Sequence, residues 1–93
     1  MTVYIDDMRR LATVGRVTAT WSHLMADTSQ ELHEFAAKLG VPRAWAQHEG
    51  THREHYDLTE ALRQGAIELG AEQISYPRGV AKLLRNRRNQ NGR

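Results

Sequence analysis

The stretch TSQELHEFAAKLGVP, residues 28–42, contains the start, the body and the end of one predicted helix. Thr28 and Glu31 have the spacing of a capping box, in which the hydroxyl accepts a hydrogen bond from an early helix amide and the carboxylate reaches back. Apolar residues then recur at the helical spacing of three and four positions: Leu32, Phe35, Ala36 and Leu39. Gly40 predicts the end of the helix, and Pro42 prevents its continuation.

The same order of signals recurs in residues 57–77, DLTEALRQGAIELGAEQISYP. Asp57 and Glu60 have the form of a second capping box, and Gly70 predicts the end of the second helix. Residues 72–76 then predict a strand that Pro77 closes. Because a helix, a Leu-Gly pair, a small residue and a strand occur twice in this order, the chain favours alternating helices and strands.

Three further segments complete the predicted fold. Val3-Tyr4-Ile5 predicts a buried strand of four or five residues, and Arg43–Gln47 predicts another. Residues 16–21 suggest a short extended segment, and residues 79–86 a short helix. Strands alternating with helices favour a small α/β domain of order β-α-β-α-β, with a short, mainly parallel three-stranded sheet and two crossover helices.

Composition limits the classes of protein that fit. A chain of 93 residues has the size of one domain, and so small a core leaves only roughly 3–5 kcal/mol of stability, so that a metal or a homo-oligomer would help. There is no cysteine, which excludes disulfides and thiolate-bound zinc. No apolar run reaches the roughly 20 residues that span a bilayer, and the first residues lack signal-peptide features. We therefore expect a cytoplasmic protein without a membrane partner.

Charge divides the chain into two parts. Residues 1–77 hold 7 basic and 11 acidic side chains, whereas residues 78–93 hold 6 basic and no acidic ones. We therefore predict an α/β domain over residues 1–77 and a basic C-terminal extension over 78–93, disordered from Asn86 onward because it has no apolar residue to bury there. Its cations are candidate nucleic-acid contacts or a solvated, solubilising end: Arg78, Lys82, Arg85, Arg87, Arg88 and Arg93.

All five histidines lie between His23 and His55. In the predicted parallel sheet, the links from strand to helix meet at the carboxyl edge, where ligands bind. Those links hold most of the polar residues suited to metal ligation or proton transfer: Asp6, Asp7, His23, Asp27, His48, His52, His55, Tyr56 and Asp57. The topology therefore predicts that these side chains converge on one rim.

Four of these residues are candidate metal ligands, namely Asp6, His23, Asp27 and His55, for a divalent ion such as Mn²⁺, Mg²⁺ or Zn²⁺. Asp6, His23 and His55 are also the candidate catalytic acids and bases. Asp57 and Tyr56 stand at the predicted start of the second helix, where free amides favour an anion, and are candidate substrate-binding residues. The structural alternatives are that Asp6 pairs with a nearby arginine, and that Asp27 and Asp57 only cap helices.

Other residues are weaker candidates. His48-Glu-Gly-Thr-His52 matches the two-histidine zinc protease pattern, but Gly50 and the absence of apolar neighbours argue against the helix that this pattern requires. His33 lies on the flank of the first helix, where packing is the simpler role. Trp21, Trp45 and Tyr4 have rings that stack on bases, although Tyr4 and Trp45 fit core positions in strands.

The motifs Val-Tyr-Ile-Asp at 3–6, Trp-Ser-His-Leu-Met-Ala-Asp at 21–27, Glu-Leu-His-Glu-Phe-Ala at 31–36, Leu39-Gly40, Gln47 and His-Tyr-Asp-Leu at 55–58 resemble a small bacterial and phage family, domain of unknown function 4031. The resemblance covers residues 2–76 and implies no activity. Polar positions that match its pattern are Asp6, His23, Asp27, His33, Gln47, His55, Tyr56 and Asp57. It therefore adds Gln47 as a substrate-binding candidate and His33 as a secondary one, and it leaves His48 and His52 outside.

The leading hypothesis is a metal-assisted hydrolase that acts on a phosphate ester, a nucleotide or a nucleic acid. The second is a non-catalytic module that binds a nucleotide or nucleic acid through the polar rim and the basic extension. A third is a phage or bacterial interaction protein whose histidines are structural.

Overall fold

The computed structural model describes residues 2–91, and the side chains of residues 2–88. Within residues 2–91 the chain forms one six-stranded sheet and three helices. The strands are β1 (Val3–Asp6), β2 (Arg10–Val14), β3 (Val17–Ala26), β4 (Ala46–Gln47), β5 (His55–Thr59) and β6 (Glu72–Ile74). The helices are α1 (Ser29–Leu39), α2 (Glu60–Glu68) and α3 (Arg78–Asn91), with a short 3₁₀ turn at Arg43–Trp45.

The prediction of a three-stranded, mainly parallel sheet is wrong. The strand order is β4-β5-β3-β1-β6, with β2 paired to β3, and most neighbours are antiparallel. β1 and β6 do pair in parallel. The sheet is mainly antiparallel because its long central strand β3 follows β2 through a tight turn at Gly15, where φ is +62°. This hairpin supplies local antiparallel pairing that the alternation of strands and helices does not reveal.

Two predicted boundaries also change. Residues 43–47 form the 3₁₀ turn and only a two-residue strand, because the chain turns directly after Pro42. Asp57 does not cap α2. It lies inside β5, whose burial alternates along the strand, and the cap is Thr59, whose hydroxyl accepts a hydrogen bond from the amide of Leu62. In contrast, α1 is confirmed from its Thr28 cap to Gly40, which adopts a left-handed conformation with φ +80°.

The two faces of the sheet are covered differently. One face packs against α1 and α2 in the larger core, which includes Ile5, Leu24, Leu58 and Tyr56. The opposite face holds a smaller cluster in which Met25 of β3 contacts Val80 and Leu83 of α3. We call this second face the α3 face. Because side chains alternate across a strand, the residues next in sequence to the positions of the larger core point to the α3 face.

Helix α3 differs from the expected tail. It continues through residues 86–91, where the sequence led us to expect disorder, and Arg87 is buried with its guanidinium donating to the carbonyl of Glu54 at 3.1 Å. Arg93 lies outside the described residues. None of the helices in residues 2–91 has the length and apolar character needed to cross a membrane.

Candidate metal centre

Three neighbouring strands bring four polar side chains together on the α3 face of the sheet. His23 in β3 stands directly opposite Asp57 in β5, and His55 lies two residues before Asp57 on the same face. Asp6 ends β1, the strand on the other side of β3. One ligand atom each of His23, His55 and Asp57 lies within 4.8 Å of the other two.

His23 is held by a buried carboxylate. Its Nδ1 atom lies 2.5 Å from Oδ2 of Asp6, and its backbone amide donates to Oδ1 of Asp6 at 2.8 Å. Asp6 is fully buried, and its own carbonyl accepts a hydrogen bond from the buried Arg63 at 2.9 Å. Because an acceptor stands at Nδ1, the proton of a neutral His23 belongs there, and the Nε2 lone pair faces Asp57, whose Oδ1 is 4.0 Å away.

His55 is oriented in the same way by a different acceptor. Its Nδ1 donates to the carbonyl of Arg53 at 2.7 Å, and its Nε2 lies 3.4 Å from Oδ1 of Asp57. The rings of His23 and His55 meet edge to face, with centroids 5.0 Å apart. Two imidazoles that each bind an acceptor through Nδ1 and direct Nε2 at a shared carboxylate have the arrangement of metal-ligating histidines.

The pKa values of His55 and Asp57 reflect the contact between these two side chains. Burial alone would lower the pKa of His55, but the hydrogen bond with Asp57, the Arg53 carbonyl and the negative charges of Asp57 and Asp6 together raise it above 6.5. The hydrogen bond with His55 is the main cause that lowers the pKa of Asp57, against the opposing effect of burial. The contact between His55 and Asp57 therefore favours the charged form of each, and a bound metal ion would take the place of the imidazolium charge.

Two cavities adjoin the cluster. One, of about 210 Å³, is lined by His23, His48, Arg53, His55 and Tyr76 together with apolar residues of β3 and α3. His48 lies beside His55, with ring centroids 5.7 Å apart, and Tyr76 lies 5.8 Å from His23. The second cavity, of about 370 Å³, extends on the other side from Asp57 toward Trp21 and Trp45. Residues of the cluster thus line both cavities.

The other predicted site residues lie elsewhere. Asp27 accepts hydrogen bonds from the Thr2 amide and the Tyr4 hydroxyl and is not brought to the cluster. Tyr56 is buried on the opposite face, where its hydroxyl bonds to Nδ1 of His33 at 2.7 Å. Nε2 of His33 in turn lies 3.1 Å from the buried carboxylate of Glu54. Burial raises the pKa of the Tyr56 hydroxyl above its usual value of 10.0.

The remaining predicted residues are close to the cluster or on α3. Gln47 pairs with His55 across β4 and β5 and lines the larger cavity. His48 and Gly50 both have positive φ, so the segment from His48 to His52 is a turn and lacks the helix of a zinc protease. Arg87 is buried, whereas the other described cations of α3 are exposed: Arg78, Lys82, Arg85 and Arg88.

The sequence pattern predicts a substrate-binding role for Asp57 and does not reveal its place opposite His23. Nor does the pattern indicate the roles of Glu54, Arg53 and Arg63, which hold the histidines and the end of β1. One signal could have located Asp57: His55, Asp57 and Thr59 alternate with the apolar Tyr56 and Leu58, which is typical of a half-buried strand.

Fold and site together define a small α/β protein with a two-histidine, one-carboxylate cluster on the α3 face of its sheet. The chain belongs to the family described as Protein of unknown function (DUF4031), whose model matches residues 3–87. The match reaches beyond residue 76, the end of the resemblance in the sequence, and so includes most of α3. No curated protein and no solved structure matched the chain.

Proposed function

We propose that the protein is a metal-dependent hydrolase that acts on a phosphate ester, with His23, His55 and Asp57 as the metal ligands. One observation supports this above the others: both imidazoles direct Nε2 at Oδ1 of Asp57, while each Nδ1 atom is held by its own acceptor. Asp6 is then a positioning residue for His23. This changes the expected ligand set, in which Asp6 and Asp27 were ligands and Asp57 was not.

The donor set fits a catalytic metal better than a structural one. Three protein ligands leave a coordination position open, whereas structural zinc sites use four. A divalent metal there would lower the pKa of a coordinated water to about 7 and so supply a nucleophile at neutral pH. Two imidazole nitrogens favour Zn²⁺, Mn²⁺ or another transition metal over Mg²⁺, which prefers oxygen ligands.

The surroundings favour an anionic substrate. Arg53 and His48 line the smaller cavity together with His23 and His55, so cationic or proton-donating groups stand beside the cluster. The guanidinium of Arg53 can bind phosphate oxygens, and His48 can give a proton to a leaving oxygen. We also propose that the protein is cytoplasmic.

Metal binding tests this function directly. Protein purified without a histidine tag is assayed for metal content and then melted with Zn²⁺, Mn²⁺ or Mg²⁺. We expect stoichiometric binding of a transition metal, and a metal at a hundredfold excess over its Kd should stabilise the fold by about 2.7 kcal/mol. His55→Ala and Asp57→Ala should lose this effect. His52→Ala removes a histidine outside the cluster and should retain it.

Activity is the second part of the test. The metal-loaded protein should hydrolyse a p-nitrophenyl phosphate ester, a chelator should abolish the reaction, and added metal should restore it. Equal metal affinity in the wild type, His55→Ala and Asp57→Ala would refute the ligand assignment. Metal binding without hydrolysis of any phosphate ester would refute the enzymatic proposal and leave a metal-binding module.

A second candidate function is nucleic-acid binding without catalysis. Arg78, Lys82 and Arg85 recur at intervals of four and three residues and are exposed, so they form one basic stripe along α3. Such a stripe suits the phosphate backbone of a nucleic acid. It is compatible with the hydrolase if the nucleic acid is the substrate.

A further inference from the structure

The larger cavity beside the cluster has walls of a distinct chemical kind. It measures about 370 Å³, within the range of small-molecule sites. Trp21 and Trp45 line it together with Val14 and Val17, and polar groups come from Arg16, Gln47, Asp57 and Thr59. Two indoles, aliphatic side chains and a few polar groups suit a flat, partly polar ring.

The two tryptophans have different roles in this cavity. Trp21 is buried, and its Nε1 donates to the carbonyl of Ala12 at 2.9 Å, so its ring has a fixed position. Trp45 is the last residue of the short 3₁₀ turn and is 40% exposed. A large aromatic side chain left partly open on the wall of a cavity has surface available for a ligand ring.

Asp57 connects the cavity to the metal centre, because it belongs to the cluster and lines the cavity. A ligand that reaches both must join an anionic, metal-binding group to a flat ring. The Gln47 side-chain amide offers a donor and an acceptor to the edge of such a ring. A nucleotide has this composition: its phosphate suits the metal and Arg53, and its base suits the indoles.

We propose that the Trp21–Trp45 cavity is the base-binding subsite of the enzyme, so that the substrate is a nucleotide unit. The position of the phosphate rests on the proposed function, whereas the binding of the base does not. The nucleotide is either free or the terminal unit of a strand, since both present the same base and phosphate.

Binding measurements separate the base from the phosphate. The four ribonucleoside 5′-monophosphates and ribose 5-phosphate are titrated into Mn²⁺-loaded protein by calorimetry, at low temperature and with phosphate release measured to confirm that they stay intact, and tryptophan fluorescence is the second readout. We expect at least one nucleotide to bind about tenfold or more tightly than ribose 5-phosphate, and to quench fluorescence, because stacking of a base on an aromatic ring contributes on this scale. Equal affinity for ribose 5-phosphate and all four nucleotides would overturn the proposal.

A substitution with a matched control tests the residue assignment. Trp45→Ala should lower the nucleotide affinity about tenfold and leave the affinity for ribose 5-phosphate unchanged. Leu11→Ala removes another exposed apolar side chain, 72% exposed and outside the cavity wall, and should change neither. Unchanged nucleotide binding by Trp45→Ala would also overturn the proposal.

Two further arms distinguish the remaining outcomes. Nucleosides titrated in the presence of a chelator test the base subsite without metal: their quenching should persist in the wild type and fall in Trp45→Ala, even if the metal proposal fails. If the metal binds and simple phosphate esters are hydrolysed without any preference for a base, the proposed function stands and the subsite is rejected. A ten-nucleotide single strand, compared with the mononucleotides, shows whether the preferred source is a strand or a free nucleotide.

Discussion

The Oδ2 atom of Asp6 lies 2.5 Å from Nδ1 of His23, and the Asp6 side chain is almost completely buried at the end of β1. The other oxygen of this carboxylate accepts hydrogen bonds from the backbone amides of His23 and Met8. Asp6 thus fixes both the backbone and the ring of one candidate ligand. These contacts stabilise the buried carboxylate. Because the carboxylate binds Nδ1 of His23, Nε2 is the nitrogen that faces Asp57.

Asp6→Asn should reverse the tautomer of His23. The side-chain carbonyl of the new amide can still accept from the two backbone amides, but its NH₂ group replaces Oδ2 and donates to Nδ1, which moves the imidazole proton to Nε2. We expect the metal affinity to fall about 10- to 100-fold, as for other carboxylates behind a ligating histidine. Metal titration measures the affinity, and ¹⁵N NMR of the imidazole identifies the tautomer.

Asp7→Asn is the control for this prediction. Asp7 is the next residue, and its carboxylate accepts from the Tyr76 amide instead of a histidine. This variant should therefore retain the affinity and the tautomer of the wild type. A wild-type tautomer and metal affinity in Asp6→Asn would contradict the positioning role.

The His55–Asp57 pair should make stability depend on pH in metal-free protein. The pKa of His55 is raised in the folded protein, so protonated His55 stabilises the fold fully at pH values below its usual pKa near 6.5. This contribution is lost as the pH rises through the folded-state pKa. The lowered pKa of Asp57 stabilises the fold above about 3.8, and this is lost as pH falls through the folded-state value. The pair therefore contributes most between these two values.

Asp57→Asn should therefore lower the free energy of unfolding more at pH 5.5 than at pH 8.5. Urea unfolding in the presence of a chelator measures the difference. Leu11→Ala, an exposed change without an ionisable group, should cost the same at both pH values. A cost for Asp57→Asn that is equal at the two pH values would show that the ion pair does not stabilise the fold.

His33 should stabilise the fold without affecting the metal centre. It joins the buried Tyr56 hydroxyl to the buried Glu54 carboxylate, so His33→Ala leaves both without their partner. We expect a loss of about 2–3 kcal/mol, since each unsatisfied buried polar group costs about 1–3 kcal/mol. For a domain of this size, each kcal/mol lowers Tm by about 4–8 °C.

His52→Ala is the histidine control: His52 is half-buried in the turn before β5 and holds neither Tyr56 nor Glu54, so its loss of stability should be smaller than that of His33→Ala. The Kd for metal should be the same in His33→Ala and in the wild type, measured at a temperature where both are folded. A weakened metal affinity in His33→Ala would place this histidine in the functional site.

Local signals predicted the helices far better than the sheet. Thr28 and Gly40 act within a few residues of α1, so a capping hydroxyl and a left-handed glycine could be recognised in the sequence. Strand pairing depends instead on residues far apart in the chain, such as His23 and Asp57. The spacing of Asp57 and Glu60 predicts the start of a helix at Asp57, whereas residues 55–59 form β5, whose buried positions are the apolar Tyr56 and Leu58.

The candidate site was predicted in part, through a topology that is wrong. We expected Asp6, His23 and His55 to meet at the carboxyl edge of a parallel sheet, whereas antiparallel pairing of β1, β3 and β5 brings them together on a sheet face. The same error misplaced Asp27. It directly follows β3, beyond the strand position that faces β5, and its carboxylate turns to Thr2 and Tyr4.

The basic stripe of α3 should give salt-dependent binding of single-stranded nucleic acid. Arg78, Lys82 and Arg85 are exposed, so each can contact a phosphate and release a counterion. Replacing all three with Gln should reduce the slope of log K against log salt concentration by about 2, which is three contacts at about 0.7 each. Fluorescence anisotropy with a labelled oligonucleotide measures the slope.

Substitution is the sound test of this stripe, because deletion from residue 78 would remove Val80 and Leu83 from the core on the α3 face and expose Met25. Arg87 is left in place since it is buried and binds the Glu54 carbonyl. The control removes three exposed cations elsewhere, with Arg10, Lys38 and Arg43 replaced by Gln, and has the same net charge. If the slope of log K against log salt concentration falls equally in both triple variants, the binding follows net charge alone and α3 is not a nucleic-acid interface.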